Sequence, residues 1–262
     1  MKLNNQVQAT LLFASFIWVL VAFQGCETTH VVHIHNGKPV PASGEQQSTV
    51  QAAATELPVD ITMILDRSGS MGSLTETVIS SYNNFLEEQK TVDGEAFVSL
   101  IQFDEKFEPN YSEIDIQNTN ELNTSSYQPR GSTALFDAVG RAITEAKERI
   151  TPGSSDVVFV ITTDGLENAS KEFTGDQIKE MIADCENQYG WHFMYLAANE
   201  DAFNQHKDMG LDLRFCQEIE ATPEGWRASQ QQMSLQLLEY RIERNPTNLE
   251  FDKEEPNPDD GY

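Results

Sequence analysis

From residue 58 to about residue 245 the sequence alternates short apolar runs with longer segments of helical periodicity. The apolar runs are Val59–Leu65, Ala96–Phe103, Val157–Thr163 and Trp191–Ala197. Nearly continuous apolar runs of this length are typical of parallel strands that helices cover on both faces. The alternation therefore predicts an α/β domain of three layers with a doubly wound, mostly parallel sheet.

Local signals predict where individual elements begin. Ser73 with Glu76, and Thr174 with Gln177, have the spacing of capping boxes, which predicts a helix start at each pair. Apolar residues alternate over residues 211–215, which predicts the last strand of the sheet.

Oxygen-bearing side chains stand where two of the predicted strands end. Asp66-Arg67-Ser68-Gly69-Ser70 follows the first strand directly, and Asp164 follows the strand Val157–Thr163. In doubly wound sheets, ligands bind at the carboxyl ends of strands where the strand order reverses. A carboxylate and two hydroxyls at alternate positions of one turn can face a common point. Oxygen ligands alone suit Mg²⁺ or Mn²⁺ rather than zinc, so the sequence predicts a cation site at this edge.

A third stretch, Gly131-Ser132-Thr133, opens a helical pattern. Taken alone, Thr133 would be explained as a helix cap. In this order the three stretches resemble the von Willebrand factor type A (vWA) domain of bacterial proteins, whose metal-ion-dependent adhesion site combines a DxSxS motif, a threonine and a later aspartate. The resemblance covers residues 58–244. It implies that the hydroxyls of Ser68, Ser70 and Thr133 approach the metal, while Asp66 and Asp164 hold it mainly through water.

The resemblance also implies an architecture and a function. It implies a six-stranded sheet with one antiparallel edge strand, and the weak alternation over residues 104–116 suits such an edge. Neutral hydroxyls leave Mg²⁺ or Mn²⁺ electrophilic and keep one coordination position open. The expected function is therefore non-enzymatic protein binding, in which a Glu or Asp carboxylate of a partner protein fills that position.

Two other functions compete with this interpretation. vWA domains also serve as accessory subunits of ATP-driven assemblies of the chelatase or AAA+ type. A metal-dependent hydrolase is disfavoured, because phosphoryl-transfer enzymes of the aspartyl-phosphate type commonly carry a second Asp where this chain has Ser68. A serine nucleophile would need a base, and the sequence leaves only a distant residue such as His206 for that role.

The charge of the chain limits its partners. With 42 acidic and 17 basic residues the formal net charge is −25, which excludes the phosphate backbone of nucleic acids as a favourable partner. The same charge opposes a partner carboxylate, although salt screens the repulsion beyond about 8 Å. A local neutral or basic rim, such as Arg67 and Arg130 beside the metal motifs, would ease this repulsion.

The sequence of residues 1–25 is typical of a signal peptide or an N-terminal membrane anchor. The apolar run Leu11–Phe23 is shorter than the roughly 20 residues of a membrane span and suits the core of a signal peptide. Gln24-Gly25-Cys26 resembles the cleavage site of bacterial lipoproteins, in which Cys26 would carry the lipid. Lipidation, an uncleaved anchor and ordinary secretion all place the domain outside the cytoplasm, and the alternative is a cytoplasmic protein with an apolar N-terminus.

The segments that flank the domain are poor in large apolar residues. Residues 26–57 predict a flexible tether, and residues 246–262 predict an acidic, disordered tail. Of the remaining cysteines, Cys185 and Cys216 are candidates for a disulfide. Cys185 shares a helical face with Ile178 and Ile182, which favours a packed thiol instead.

Overall fold

The computed structural model describes residues 56–251, in which six strands form a sheet. The strands are β1 (Val59–Asp66), β2 (Ala96–Phe103), β3 (Phe107–Asp115), β4 (Asp156–Thr163), β5 (His192–Ala198) and β6 (Cys216–Ile219). The helices are α1 (Thr75–Gln89), α2 (Leu135–Arg149), α3 (Gly175–Asp184), α4 (Glu200–Asn204), α5 (His206–Met209) and α6 (Pro223–Glu243).

The sheet has the strand order β3-β2-β1-β4-β5-β6. All neighbouring strands pair in parallel except β2 and β3, which form the antiparallel edge. The predicted α/β class and the predicted antiparallel edge strand are therefore confirmed.

Helices cover both faces of the sheet, which gives the predicted three layers. Alternate residues of β1 serve the two cores, as expected for a buried strand. Ile61 and Met63 pack in the core beneath α1 and α6, while Ile64 packs in the core beneath α2 and α3. Thus β1 contributes apolar side chains to both cores, which explains its almost continuous apolar sequence.

The strand order reverses at β1, because β2 lies on one side of it and β4 on the other. Leu65 is in register with Gln102 of β2 and with Thr162 of β4. The carboxyl ends of these strands therefore lie side by side, which brings the loops after β1, β2 and β4 together at one edge.

Two predicted element boundaries are wrong. Residues 213–215 form a 3-10 helix, and the last strand begins only at Cys216. Ser73 does not cap α1, because Gly69–Leu74 is already a 3-10 helix that runs into it. The capping box of Thr174 and Gln177 is confirmed, since each side chain bonds the backbone of the other residue.

The fold extends beyond residue 245, where the sequence predicted a disordered tail. Residues 246–249 form a 3-10 helix, and Leu249 and Phe251 are buried in the core beside α6. Two large apolar side chains six residues or less beyond the predicted boundary explain the difference. Cys185 is a free, buried thiol, so it forms no disulfide with Cys216, and its interpretation as a packed side chain is confirmed.

Several predictions concern residues outside the described part of the chain. These are the signal peptide or anchor over residues 1–25, lipidation at Cys26, the tether up to residue 55 and the tail from residue 252. Within residues 56–251, no helix is long and apolar enough to cross a membrane.

Arg241 on α6 joins this helix to the end of α1. Its buried guanidinium donates to the carbonyl oxygen of Gln89 at 2.6 Å and to those of Val92 and Gly94 at 3.4 Å. Burial lowers the pKa of Arg241 to about 10. Because methionine keeps an apolar stem but cannot donate, we expect Arg241→Met to lower the free energy of unfolding by about 1–3 kcal/mol.

Urea denaturation of the full chain measures this loss. Arg227→Met is the matched control, because Arg227 lies on the same helix but is exposed, and its change should stay within about 0.5 kcal/mol. Equal effects of the two substitutions would contradict a stabilising role for Arg241.

Candidate metal centre

Asp66, the last residue of β1, is fully buried beneath the edge of the sheet. One carboxylate oxygen, Oδ1, accepts a hydrogen bond of 2.6 Å from the backbone N–H of Ser68. The other, Oδ2, accepts one of 2.5 Å from the hydroxyl of Thr163, at the end of β4. Burial raises the pKa of Asp66 from 3.8 to about 6, and these hydrogen bonds offset part of the rise. In the absence of a cation, the site therefore holds a negative charge at a desolvation cost.

Three further oxygen groups converge beside Asp66. The hydroxyl oxygens of Ser68 and Ser70 lie 3.0 Å apart. Ser70 donates a hydrogen bond of 2.5 Å to Oδ1 of Asp164, which follows β4. Burial raises the pKa of Asp164 as well. The DxSxS turn and the later aspartate, which are 94 residues apart in sequence, therefore meet in space.

Thr133 lies at the same point and does not cap α2. The N-cap of that helix is Ala134, and no side chain bonds there. A Cβ added to Gly165 would lie 2.5 Å from Thr133 Oγ1 and 3.4 Å from Asp66 Oδ2, so both oxygens border the space that this glycine leaves open. The structure thus brings together all five residues that the sequence proposed as ligands.

Backbone hydrogen bonds fix the loops that carry these residues. Gly69 donates to the carbonyl oxygen of Gly131 at 3.1 Å, which joins the first loop to the second. Thr133 donates to the side chain of Asn168 at 3.0 Å, which joins the second loop to the third. The loops are therefore connected to one another as well as to the ends of their strands.

Of the two alternatives for the rim, neutral or basic, the structure favours the neutral one, because Arg67 and Arg130 are both paired with carboxylates. Nε of Arg67 and Nε of Arg130 lie 3.1 and 2.9 Å from the same oxygen of the buried Asp104. Both guanidinium groups also contact Glu108, at 2.7 and 2.6 Å. Their charges are neutralised within this cluster of two arginines and two carboxylates, so the cluster joins the loops instead of attracting an anion.

The oxygen groups open into a depression of about 470 Å³ at the surface. The residues that line it include Ser70, Asp164, Leu166, Asn199 and Asp201. Leu166 is 49% exposed, which is unusual for a large apolar side chain of this domain. The depression gives an outside ligand direct access to the converging hydroxyls.

The donor set fits a hard divalent cation. Adjacent ligands of an octahedral Mg²⁺ lie about 3.0 Å apart when each oxygen is about 2.1 Å from the ion, and the two serine oxygens have a 3.0 Å separation. Within residues 56–251, no group of three or more His, Cys, Asp and Glu side chains is placed to hold a metal. Two carboxylates and three hydroxyls are thus a set for Mg²⁺ or Mn²⁺ and not for zinc.

Sequence reasoning missed the residues that position this centre. Thr163 was interpreted only as part of a strand, although its hydroxyl bonds Asp66. Asn199 follows β5 at the same sheet edge, and its side chain donates to the carbonyl oxygen of Asp164 at 2.9 Å. Its place after a strand is a signal that the sequence did contain. For Gln205, which bonds the carbonyl oxygen of Gly165 from within the following helical segment, the sequence offered no signal.

His206 does not provide a base for the serines. Its ring packs against Phe203, and its Nδ1 lies 2.7 Å from the carbonyl oxygen of the same residue. It is buried and does not line the depression.

The pKa of Asp66 predicts that metal binding depends on pH. Because burial raises that pKa to about 6, protonation of this carboxyl stabilises the metal-free fold below pH 3.8, and the stabilisation disappears as the pH rises to 6. A cation requires the ionised carboxylate, so its apparent affinity has the opposite dependence. We expect the Mn²⁺ affinity to be about tenfold weaker at pH 5 than at pH 7.5.

Calorimetric titration of the full chain with Mn²⁺ at the two pH values measures this difference. Between pH 7 and pH 7.5 the affinity should hardly change, since the carboxyl is ionised at both. An affinity that is the same at pH 5 and pH 7.5 would show that Asp66 does not lose a proton when the metal binds.

Comparison with known proteins gives fold matches alone. No family model matches the sequence, and no curated protein gives a significant sequence match. Among solved structures, the pilus adhesin SpaC from Lactobacillus rhamnosus GG is similar, with a TM-score of 0.52 and 12% identity. The match covers 70% of this chain and 30% of SpaC.

Two further structures match with lower TM-scores. A von Willebrand factor type A protein from Catenulispora acidiphila has 16% identity and a TM-score of 0.47, over 70% of this chain and 43% of its own. The manganese-loaded TRAP protein of Plasmodium vivax has 13% identity and a TM-score of 0.44, over 67% and 71% of the two chains. This chain thus spans less than half the length of SpaC or of the Catenulispora protein. The sheet order, its antiparallel edge and the match to SpaC show a doubly wound α/β fold with helices on both faces of the sheet. The solved structures to which this chain is similar include a von Willebrand factor type A protein.

Proposed function

We propose that this protein is a non-enzymatic, divalent-metal-dependent protein-binding module. Asp66, Ser68, Ser70, Thr133 and Asp164 would hold Mg²⁺ or Mn²⁺, and a Glu or Asp carboxylate of a partner protein would bind to the metal. The observation that carries the proposal is the convergence of three hydroxyls and two carboxylates on one open depression.

The types of the five residues favour carboxylate capture. When bound, the cation supplies a Lewis-acid position for an anionic oxygen. The hydroxyls of Ser68, Ser70 and Thr133 are neutral and leave most of the charge of the cation available. Asp66 and Asp164 supply two negative charges, which match a divalent ion without exceeding it. The buried position of Asp66 keeps one of these carboxylates away from solvent and from the partner.

The rim of the depression indicates where a partner would make its other contacts. Leu166 offers an exposed apolar side chain next to Asp164, and Asn199 offers an exposed amide. Affinity for the partner would come from such surrounding contacts, while the metal would select a carboxylate. Asp201 lies on the same rim, and its negative charge would repel a second acidic group of the partner next to the carboxylate that binds the metal.

Two observations support binding in preference to hydrolysis. The serine hydroxyls bond each other and Asp164, and His206 does not line the depression. The fold match to SpaC, which is a pilus adhesin, is compatible with an interaction module. Residues 1–25 resemble a signal peptide, and Gln24-Gly25-Cys26 resembles the cleavage site of bacterial lipoproteins. We therefore propose that the module lies outside the cytoplasm, either secreted or attached to a membrane.

Metal-dependent capture tests the proposed function. The immobilised full chain is exposed to envelope and secreted proteins in Mg²⁺ or in chelator, and the retained proteins are compared. Thr133→Val removes one hydroxyl and keeps the side-chain shape. Thr144→Val is the matched control, because Thr144 lies on the helix that follows Thr133 and its hydroxyl donates to the carbonyl oxygen of Gly140 within that helix.

We expect the wild type and Thr144→Val to retain a partner in Mg²⁺ and to release it in chelator. Thr133→Val should retain less than about a tenth as much, because one metal ligand is lost. Equal capture by Thr133→Val, or equal capture in chelator, would refute a metal-dependent function.

A further inference from the structure

We propose that Asn199 and Gln205 are positioning residues that hold the loop of residues 164–167 in the arrangement that the metal requires. This inference rests on the proposed metal site. Neither residue is a ligand in that site. Both lie in the segment that connects β5 to α5, and both bond the backbone of the loop.

Asn199 has a backbone conformation that its side chain explains. Its φ of 70° and ψ of 154° lie in a region that is almost restricted to glycine. Its side-chain nitrogen donates to the carbonyl oxygen of Asp164 at 2.9 Å, and its side-chain oxygen accepts from the N–H of Ala202 at 2.9 Å. A glycine would adopt this backbone more easily but would leave the carbonyl of Asp164 without this bond.

Gln205 supplies a second pair of bonds to the same loop. Its buried side-chain nitrogen donates to the carbonyl oxygen of Gly165 at 3.2 Å, and its side-chain oxygen accepts from the N–H of Glu167 at 2.7 Å. The loop belongs to no helix or strand, so its backbone groups have no regular partners. Asn199 and Gln205 therefore replace the bonds that a secondary structure would supply.

The consequence for the metal site is preorganisation. Asp164 contributes its carboxylate from this loop, and Gly165 borders the space between Thr133 and Asp66. A loop that is already fixed loses little conformational entropy when a cation binds, whereas a loose loop must be ordered by the cation. Removal of either amide should weaken metal binding more than it weakens the fold.

The experiment uses Asn199→Gly and Gln205→Met in the full chain. Glycine keeps the backbone conformation of Asn199 and is tolerated as an N-cap of α4, and methionine keeps the length of Gln205. Asn204→Ala is the matched control, because the side chain of Asn204 accepts from Lys207 and, among residues 56–251, bonds no part of the metal loops. Each variant is titrated with Mn²⁺, and amide hydrogen exchange is measured on the metal-free protein.

We expect the Mn²⁺ dissociation constant to rise about tenfold in both variants and to stay within twofold in Asn204→Ala. The N–H of Glu167 should exchange at least about tenfold faster in metal-free Gln205→Met, while the amides of β4 and β5 keep their protection. A purely structural role would instead lower protection throughout the domain.

The outcomes separate this inference from the proposed function. Wild-type affinity in both variants would overturn the positioning role and leave the metal site standing. If the wild type bound no Mn²⁺, the proposed function would fail. Unchanged exchange at Glu167 in Gln205→Met would overturn the positioning role whether or not the metal binds.

Discussion

Replacement of Asp66 by asparagine is expected to stabilise the metal-free protein and to abolish its response to metal. Burial raises the pKa of Asp66 to about 6 from an ordinary 3.8. At neutral pH this shift corresponds to a destabilisation of the folded state by at most about 3 kcal/mol, because the buried carboxylate is charged. Asparagine removes the charge and can still accept from the N–H of Ser68. We expect a gain of about 1–3 kcal/mol in the free energy of unfolding in chelator.

In the presence of metal, the wild type should become more stable than Asp66→Asn. A ligand at a hundredfold excess over its dissociation constant adds about 2.7 kcal/mol to the wild type, while the variant lacks the charge that holds the cation. Melting temperatures in chelator and in Mg²⁺ measure both effects. Asp93→Asn, at an exposed aspartate, is the control and should change neither. If Asp66→Asn were less stable than the wild type in chelator, burial of the charged carboxylate would not destabilise the fold. If Mg²⁺ still raised the melting temperature of Asp66→Asn, Asp66 would not be needed to hold the metal.

Loss of Asp104 is expected to cause the largest destabilisation. Its fully buried carboxylate is bonded by both Arg67 and Arg130, and Arg67 is itself buried. Asp104→Ala leaves the Arg67 guanidinium with only the partly exposed Glu108 as a counter-ion. We expect a loss of about 3–5 kcal/mol, or roughly 10 °C in melting temperature for a domain of this size.

An exposed ion pair provides the control for Asp104. Glu172 pairs with Arg141 at the surface, so Glu172→Ala should lower the free energy of unfolding by less than about 1 kcal/mol. Thermal unfolding of the two variants gives the comparison. If Asp104→Ala costs no more than Glu172→Ala, the cluster of two arginines and two carboxylates does not stabilise the metal loops.

The sequence predicted the parts of the fold that depend on local patterns. The apolar runs of β1 and β4 identified buried parallel strands, because only a strand covered on both faces is apolar at almost every position. The same runs placed Asp66 and Asp164 at strand ends, and the rule for doubly wound sheets placed those ends together. The convergence of Asp66 and Asp164 therefore followed from the pattern of the strands, whereas the role of Thr133 was implied only by the resemblance.

The sequence could not predict features that depend on contacts between distant loops. Asp104 is one charged residue among many in sequence, and only the meeting of three loops surrounds it with Arg67 and Arg130. For this reason the sequence could not decide between a neutral and a basic rim, and only the structure shows that the two arginines are neutralised. The end of the domain was also misplaced, because Leu249 and Phe251 lie in a polar stretch whose composition suggested disorder.

The most direct test of the metal centre is the number of Mn²⁺ ions that the full chain binds, measured by electron paramagnetic resonance of free Mn²⁺ during a titration. We predict one saturable site in the wild type and its loss in both Asp66→Asn and Ser68→Ala, because each removes a different oxygen group of the same centre. Equal binding by the wild type and both variants, or no saturable site in the wild type, would contradict the assignment of these residues to a metal.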